Sequence, residues 1–169
     1  MGKVSTKENK SVYQLTREEL GWSREKASEK LITIPPERIE RIENGKTAVH
    51  PDDILAMSKG YNLPQLCNYY CSNECPIGKE YVPEIKVKDL SQIVLEMLAS
   101  LNTMKRNQEK LIEITADGKI DDDELEDFIN IQNELERISI TIETLQLWTE
   151  QMIAENKINL EKYNALKNK

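Results

Sequence analysis

Between residues 90 and 152, apolar side chains return at every third or fourth position, and no proline interrupts them. That rhythm is the signature of helices carrying one apolar stripe, and it excludes a sheet for this part of the chain. The first stretch runs Leu90, Val94, Met97, Leu101, Met104 and Leu111, with Gln108 interrupting, a coiled-coil-like seam over three heptads. Ile93, Leu98 and Ile112 widen it. A glycine-containing break at Thr115-Ala116-Asp117-Gly118-Lys119 precedes the second stretch, which runs Leu125, Phe128, Ile131, Leu135, Ile138, Ile142, Leu145 and Met152. Asp121, Asp122, Asp123 and Glu124 are placed to open this second helix, where carboxylates meet the positive end of the helix dipole. Asp121 and Glu124 also have capping-box spacing. Residues 89–155 are therefore expected to form a long antiparallel helical hairpin, and residues 156–169 a polar tail that is frayed or only partly helical. Two antiparallel helices cannot bury stripes this broad between themselves, whereas two hairpins paired as a four-helix bundle can. A homodimer through the hairpin is the expectation.

Charge divides the chain. Residues 1–78 hold 11 Lys/Arg and 11 Asp/Glu, and residues 79–169 hold 12 and 19, so the second part supplies the whole net charge of −7. The boundary falls at prolines and a glycine around Pro76, Gly78 and Pro83, which discourage continuous helix. With 169 residues there is room for one domain or two small ones, and 5% aromatics is too few for a typical all-β sandwich. The expected class is all-α: a flexible 1–9, a compact domain over 10–75, a linker over 76–88, then the hairpin. An acidic hairpin repels phosphate, so any nucleic-acid contact belongs to the first domain. No apolar run approaches the ~20 residues of a membrane helix, and the first ten residues lack the apolar segment of a secretory signal. Three cysteines is an odd number for a disulfide framework, and the chain is expected in the cytoplasm with reduced thiols. One histidine and no phosphate-cradling glycine loop argue against an enzyme.

Residues 11–71 read as five short helices. The first covers 12–20 and stops at Gly21. Ser23 caps the second, on which Ala27 and Leu31 share a face. Pro35-Pro36 opens the third, since proline is tolerated where amides have no intrahelical partner. It continues through Glu37, Arg38, Ile39, Glu40, Arg41, Ile42 and Glu43 to Asn44-Gly45, with the isoleucines inward. Pro51, Asp52 and Asp53 open a fourth, and residues 64–70 a fifth.

The run from Ser23-Arg24-Glu25 to Arg41-Ile42-Glu43-Asn44-Gly45-Lys46 resembles the helix-turn-helix of the phage-repressor-like (XRE, Cro/CI-type) family of transcriptional regulators, over about residues 10–71. The resemblance implies that Glu43 pairs with Arg17 of the first helix, tying the recognition helix to the scaffold. It also implies a sequence-specific regulator of repressor type, bound as a dimer to double-stranded operator DNA. In such a fold the third helix lies in the major groove. Arg38 and Arg41 are then the expected base readers, because arginine bonds guanine bidentately. Glu37 can accept from a cytosine amino group. Arg24 matches a DNA-contacting position, while Asn44, Lys46 and Thr47 follow the helix where phosphates pass. The chain departs from the family pattern in three ways. The turn Leu31-Ile32-Thr33-Ile34 lacks glycine and is one residue longer, Glu37 and Glu40 put negative charge on the reading face, and the domain is neutral. The latter two favour an alternative, a protein-interaction adaptor, antirepressor- or antitoxin-like, whose helix-turn-helix does not bind DNA.

Two stretches have the spacing of metal motifs. Cys67, Cys71 and Cys75 form a C-x3-C-x3-C series that would need a fourth ligand such as His50 to hold zinc, or could hold an iron–sulfur cluster. Packing as small hydrophobes in the core explains them better. The stretch from Glu113 through Thr115, Asp117 and Gly118 to Glu124 has the spacing of a calcium loop but a neutral residue at its third position. A glycine turn leading into a capped helix explains it without metal. No cofactor and no metal are expected.

Overall fold

In the computed structural model, which describes residues 9–114 and 118–168, every regular element is a helix. The N-terminal residues 1–8 and the break at 115–117 lie outside the described residues, and with them the flexible lead and most of the calcium-loop spacing. The chain divides into two compact units. One comprises residues 1–84 and 151–169, and the other residues 85–150.

In the first unit, α1 (Val12–Glu19), α2 (Arg24–Leu31), α3 (Pro36–Glu43), α4 (Pro51–Gly60) and α5 (Gln65–Asn73) follow one another on short turns. The Ser11 hydroxyl accepts from the Gln14 amide and the Ser23 hydroxyl from the Lys26 amide, so both early helices start on side-chain caps. Tyr13, Ala27, Leu31, Ile34, Ile39, Ile42, Ile54, Met57, Tyr61 and Leu66 form one buried cluster. α2 packs on α3 and α4, α3 on α1, and α4 on α5. α5 extends three residues beyond the expected Tyr70. A helical turn, α6 (Gly78–Tyr81), then folds against it. Gly78 is buried there, and a Cβ on it would lie 2.1 Å from the Cys71 carbonyl oxygen, so only glycine fits.

The glycine-free turn between α2 and α3 is closed by a strained residue. Ile32 has φ 61° and ψ −46°, and the Thr33 amide donates back to the Leu31 carbonyl at 2.6 Å. This is a γ-turn of positive φ, a rare conformation for any residue and a costly one for a β-branched side chain. At 88% exposure the Ile32 side chain gains nothing from packing in return.

The second unit holds α7 (Leu90–Ile114) and the larger part of α8 (Leu125–Ala154), which pack together as a helical pair. A Lys110–Asp127 ion pair links them near the turn. α8 starts later than the acidic run implies. The Glu124 carboxylate accepts from the Asp121 amide at 3.2 Å, and the Glu124 carbonyl takes the first helical bond from Phe128, so Asp121–Asp123 make a turn ahead of the helix. Of the buried residues the pair contributes, only Ile131 belongs to the apolar seam. Ile93, Ser100 and Ile114 are buried on α7, and Ile131, Glu134, Thr141, Thr144 and Leu147 on α8. Leu90, Val94, Leu101, Leu125, Leu135 and Ile142, all seam positions, are 40–48% exposed. Thr141 and Thr144 tolerate burial because their hydroxyls donate to the Arg137 and Ile140 carbonyls of their own helix. Beyond α8, within the first unit, α9 (Leu160–Lys167) starts on Asn159, whose side chain accepts from the Lys162 amide. The polar tail is thus helical over most of its length.

Candidate nucleic-acid interface

α3 is built to hold one face still and offer the other. Pro36 sits at its first position, and Ile39 and Ile42 are buried at 0% and 2% exposure. Its end is closed by a Schellman motif. Gly45, at φ 65°, donates to the Ile42 carbonyl, and Lys46 donates to the Arg41 carbonyl at 2.8 Å. Asn44 adds a side-chain bond to the Glu40 carbonyl.

Each end of α3 is also tied by ions. At the C-terminal end, Arg17 Nε and Nη2 donate to the two Glu43 oxygens at 2.5 and 2.9 Å, and Arg17 Nη1 donates to the Trp22 carbonyl. Arg24 Nε joins them on Glu43 Oε2 at 2.9 Å. Both Arg17 and Glu43 are buried, and the carboxylate holds the Arg17 guanidinium above its ordinary pKa. A buried carboxylate needs such complete pairing, since desolvation otherwise outweighs attraction. At the N-terminal end, Arg38 Nε and Nη2 donate to Asp53 Oδ1 and Oδ2 at 2.9 and 2.5 Å, and the His50 amide adds a bond to Asp53 at 3.1 Å. Arg38 and the His50 amide together hold the Asp53 carboxyl below its usual range, against the opposing effect of burial.

The seven residues expected at the DNA interface therefore fall into different situations. Arg38 and Arg24 are occupied by Asp53 and Glu43. Asn44 caps its own helix. Thr47 is half-buried, with its hydroxyl 3.5 Å from the Ala48 carbonyl. Glu37, Arg41 and Lys46 are exposed, as is Glu40, and none has an ion-pair partner among the described residues. Asp53 is the residue that sequence reasoning missed. It looked like a helix-opening acid, and nothing in the linear spacing ties it to an arginine fifteen positions earlier.

The helix-turn-helix family model matches residues 14–64, from within α1 to the residue before α5. Residues 14–64 form an XRE-type helix-turn-helix domain. The family is one of DNA-binding domains of transcription regulators. Comparison with curated proteins and with solved structures gave no match. Outside the helix-turn-helix, Cys67 packs against the core cluster and burial raises the Cys71 thiol pKa, while Cys75 Sγ accepts from the Gly78 amide at 3.5 Å. His50 occupies the cap position of α4. Among the described residues no group of three or more His, Cys, Asp or Glu has the geometry to hold a metal ion, and no helix is long and apolar enough to cross a membrane.

Proposed function

We propose that the protein is a cytoplasmic, sequence-specific transcriptional repressor that binds operator DNA as a homodimer, with residues 10–75 on the duplex and residues 89–155 assembling the dimer. The observation that carries this reading is α3, clamped at both ends and presenting Arg41 unpaired on its exposed face. Arg41 and Glu37 lie one helical turn apart and would read base edges, guanine by the first and the cytosine amino group by the second. Lys46 and Thr47 would meet phosphates. Arg38 and Arg24 would act mainly by fixing the pose of α3, with their remaining N–H groups turned to the backbone. The dimer is supported by the exposed seam. Leu90, Val94 and Leu101 on α7, and Leu125, Leu135 and Ile142 on α8, are the positions at which a second hairpin would interdigitate. Two copies would place two recognition helices on half-sites about 34 Å apart.

Selection from a random DNA pool with the full chain, repeated at two salt concentrations, tests this. Enrichment of a two-fold-symmetric motif with a steep salt dependence is expected, because phosphate contacts release counterions. A flat, unenriched pool would overturn it.

A second reading has a specific observation in its favour. Two of the expected DNA-facing arginines are engaged by carboxylates, while Glu37 and Glu40 stand exposed and unpaired. That charge balance suits a protein-binding adaptor, and the same unenriched pool would speak for it.

A further inference from the structure

Within the second unit, α7 and α8 line an open groove of about 420 Å³, in the size range of small-molecule sites. Its walls are mixed, with Ala99 and Ile140 beside charged and hydroxyl side chains. Most of the polar groups are already satisfied. Lys88 Nζ is held by both Glu96 oxygens at 2.8 and 2.7 Å, and Gln92 adds a bond to the same carboxylate. Thr103 and Thr141 donate to the Ala99 and Arg137 carbonyls of their own helices.

Two groups lining the groove are not. Ser100 is nine-tenths buried as a residue, and its hydroxyl, open to the groove, has no hydrogen-bond partner among the described residues. Glu134 has a side chain only 8% exposed, and its one partner among the described residues is Arg137 Nη1 at 3.5 Å, from an arginine that itself stands 74% in solvent. A carboxylate this buried calls for a close, charged donor, and a long contact to a solvated guanidinium does not supply one.

We propose that this groove is an effector site for a small molecule bearing a primary ammonium group, which seats on the Glu134 carboxylate and the Ser100 hydroxyl. An ammonium brings three N–H donors, two for the Glu134 carboxylate and the Ser100 oxygen, and the Thr141 oxygen keeps a lone pair for the third. Arg137, three residues along the same helix at the rim, is placed to take a carboxylate if the ligand carries one. A diamine and an α-amino acid share the ammonium chemistry, and only the second engages Arg137.

Isothermal titration of the full chain with 1,4-diaminobutane, L-alanine and L-lysine, and with succinate as an amine-free control, tests the proposal. At least one of the amines is expected to bind and succinate is not. Glu134→Gln, which keeps the shape and removes the charge, is expected to weaken binding about tenfold or more, and Ser100→Ala by less. If only the amino acids bind, Arg137→Ala is expected to abolish the distinction between them and the diamine. The proposal is overturned if no amine binds the wild-type chain, or if Glu134→Gln and Ser100→Ala both bind as tightly as wild type. It is also overturned if Glu134→Gln changes only self-association in sedimentation, since the groove would then be filled by a second copy.

Discussion

The two units spend their apolar residues in opposite ways. The helix-turn-helix buries one contiguous cluster from Tyr13 to Leu66 and pairs its inner charges completely. The helical pair buries Ser100, Glu134, Thr141 and Thr144 beside Ile93, Ile114, Ile131 and Leu147, and leaves Leu101, Leu135 and their neighbours in solvent. The first arrangement is complete within one chain. The second leaves buried polar groups and exposed apolar ones within one chain, which teaches that helicity alone does not make a unit self-sufficient.

The sharpest break of this contrast is Glu43→Ala. It leaves Arg17 buried without its carboxylate and should destabilise the N-terminal unit by about 3–5 kcal/mol, read by chemical denaturation. The hairpin should respond to concentration instead. Val94→Asp with Leu101→Asp should weaken the dimer by about 3 kcal/mol, seen in sedimentation as a shift to monomer at unchanged helicity. Retention of the dimer would place the interface elsewhere. On the DNA side, Arg41→Ala should cost about 1–3 kcal/mol of specific binding and relax preference at one base pair. Arg38→Ala should weaken all sequences alike.

Acid offers a gentler probe. The Asp53 carboxyl is held low by Arg38 and the His50 amide, so its contribution is present above the ~3.9 of an unfolded-chain aspartate and is lost as pH falls through the folded value. Asp53→Asn should flatten that part of the acid-unfolding curve and lower stability at neutral pH. The smallest effect should come from Ile32→Gly. Relief of the positive-φ strain, partly offset by glycine's greater freedom in the unfolded chain, should stabilise the first unit by about 1 kcal/mol in the same denaturation assay.

How far these features were legible in the amino-acid sequence depends on their range. Helix order, the α3 start at Pro36 and its stop at Gly45 are local signals, and all were readable. The Arg17 and Glu43 positions were readable only through family resemblance, since twenty-six residues separate them. The engagement of Arg38 by Asp53 was not readable, because an exposed arginine and a helix-opening aspartate each satisfy a local rule alone. The seam was visible as a period but not as a direction. Residues 93, 100 and 114, which turned inward, lie on a seven-residue spacing of their own, and its middle member, Ser100, is small and polar, which hydropathy overlooks.

The clamps on α3 carry a consequence for the partner. A rod pinned at one extremity by Glu43 and at the other by Arg38 has no slack with which to tilt or slide toward an imperfect target. If this rod reads a double helix as proposed, accommodation would fall to the duplex, which would have to kink or narrow its grooves to meet a rigid probe. Base steps that no side chain touches would thereby be discriminated through their stiffness.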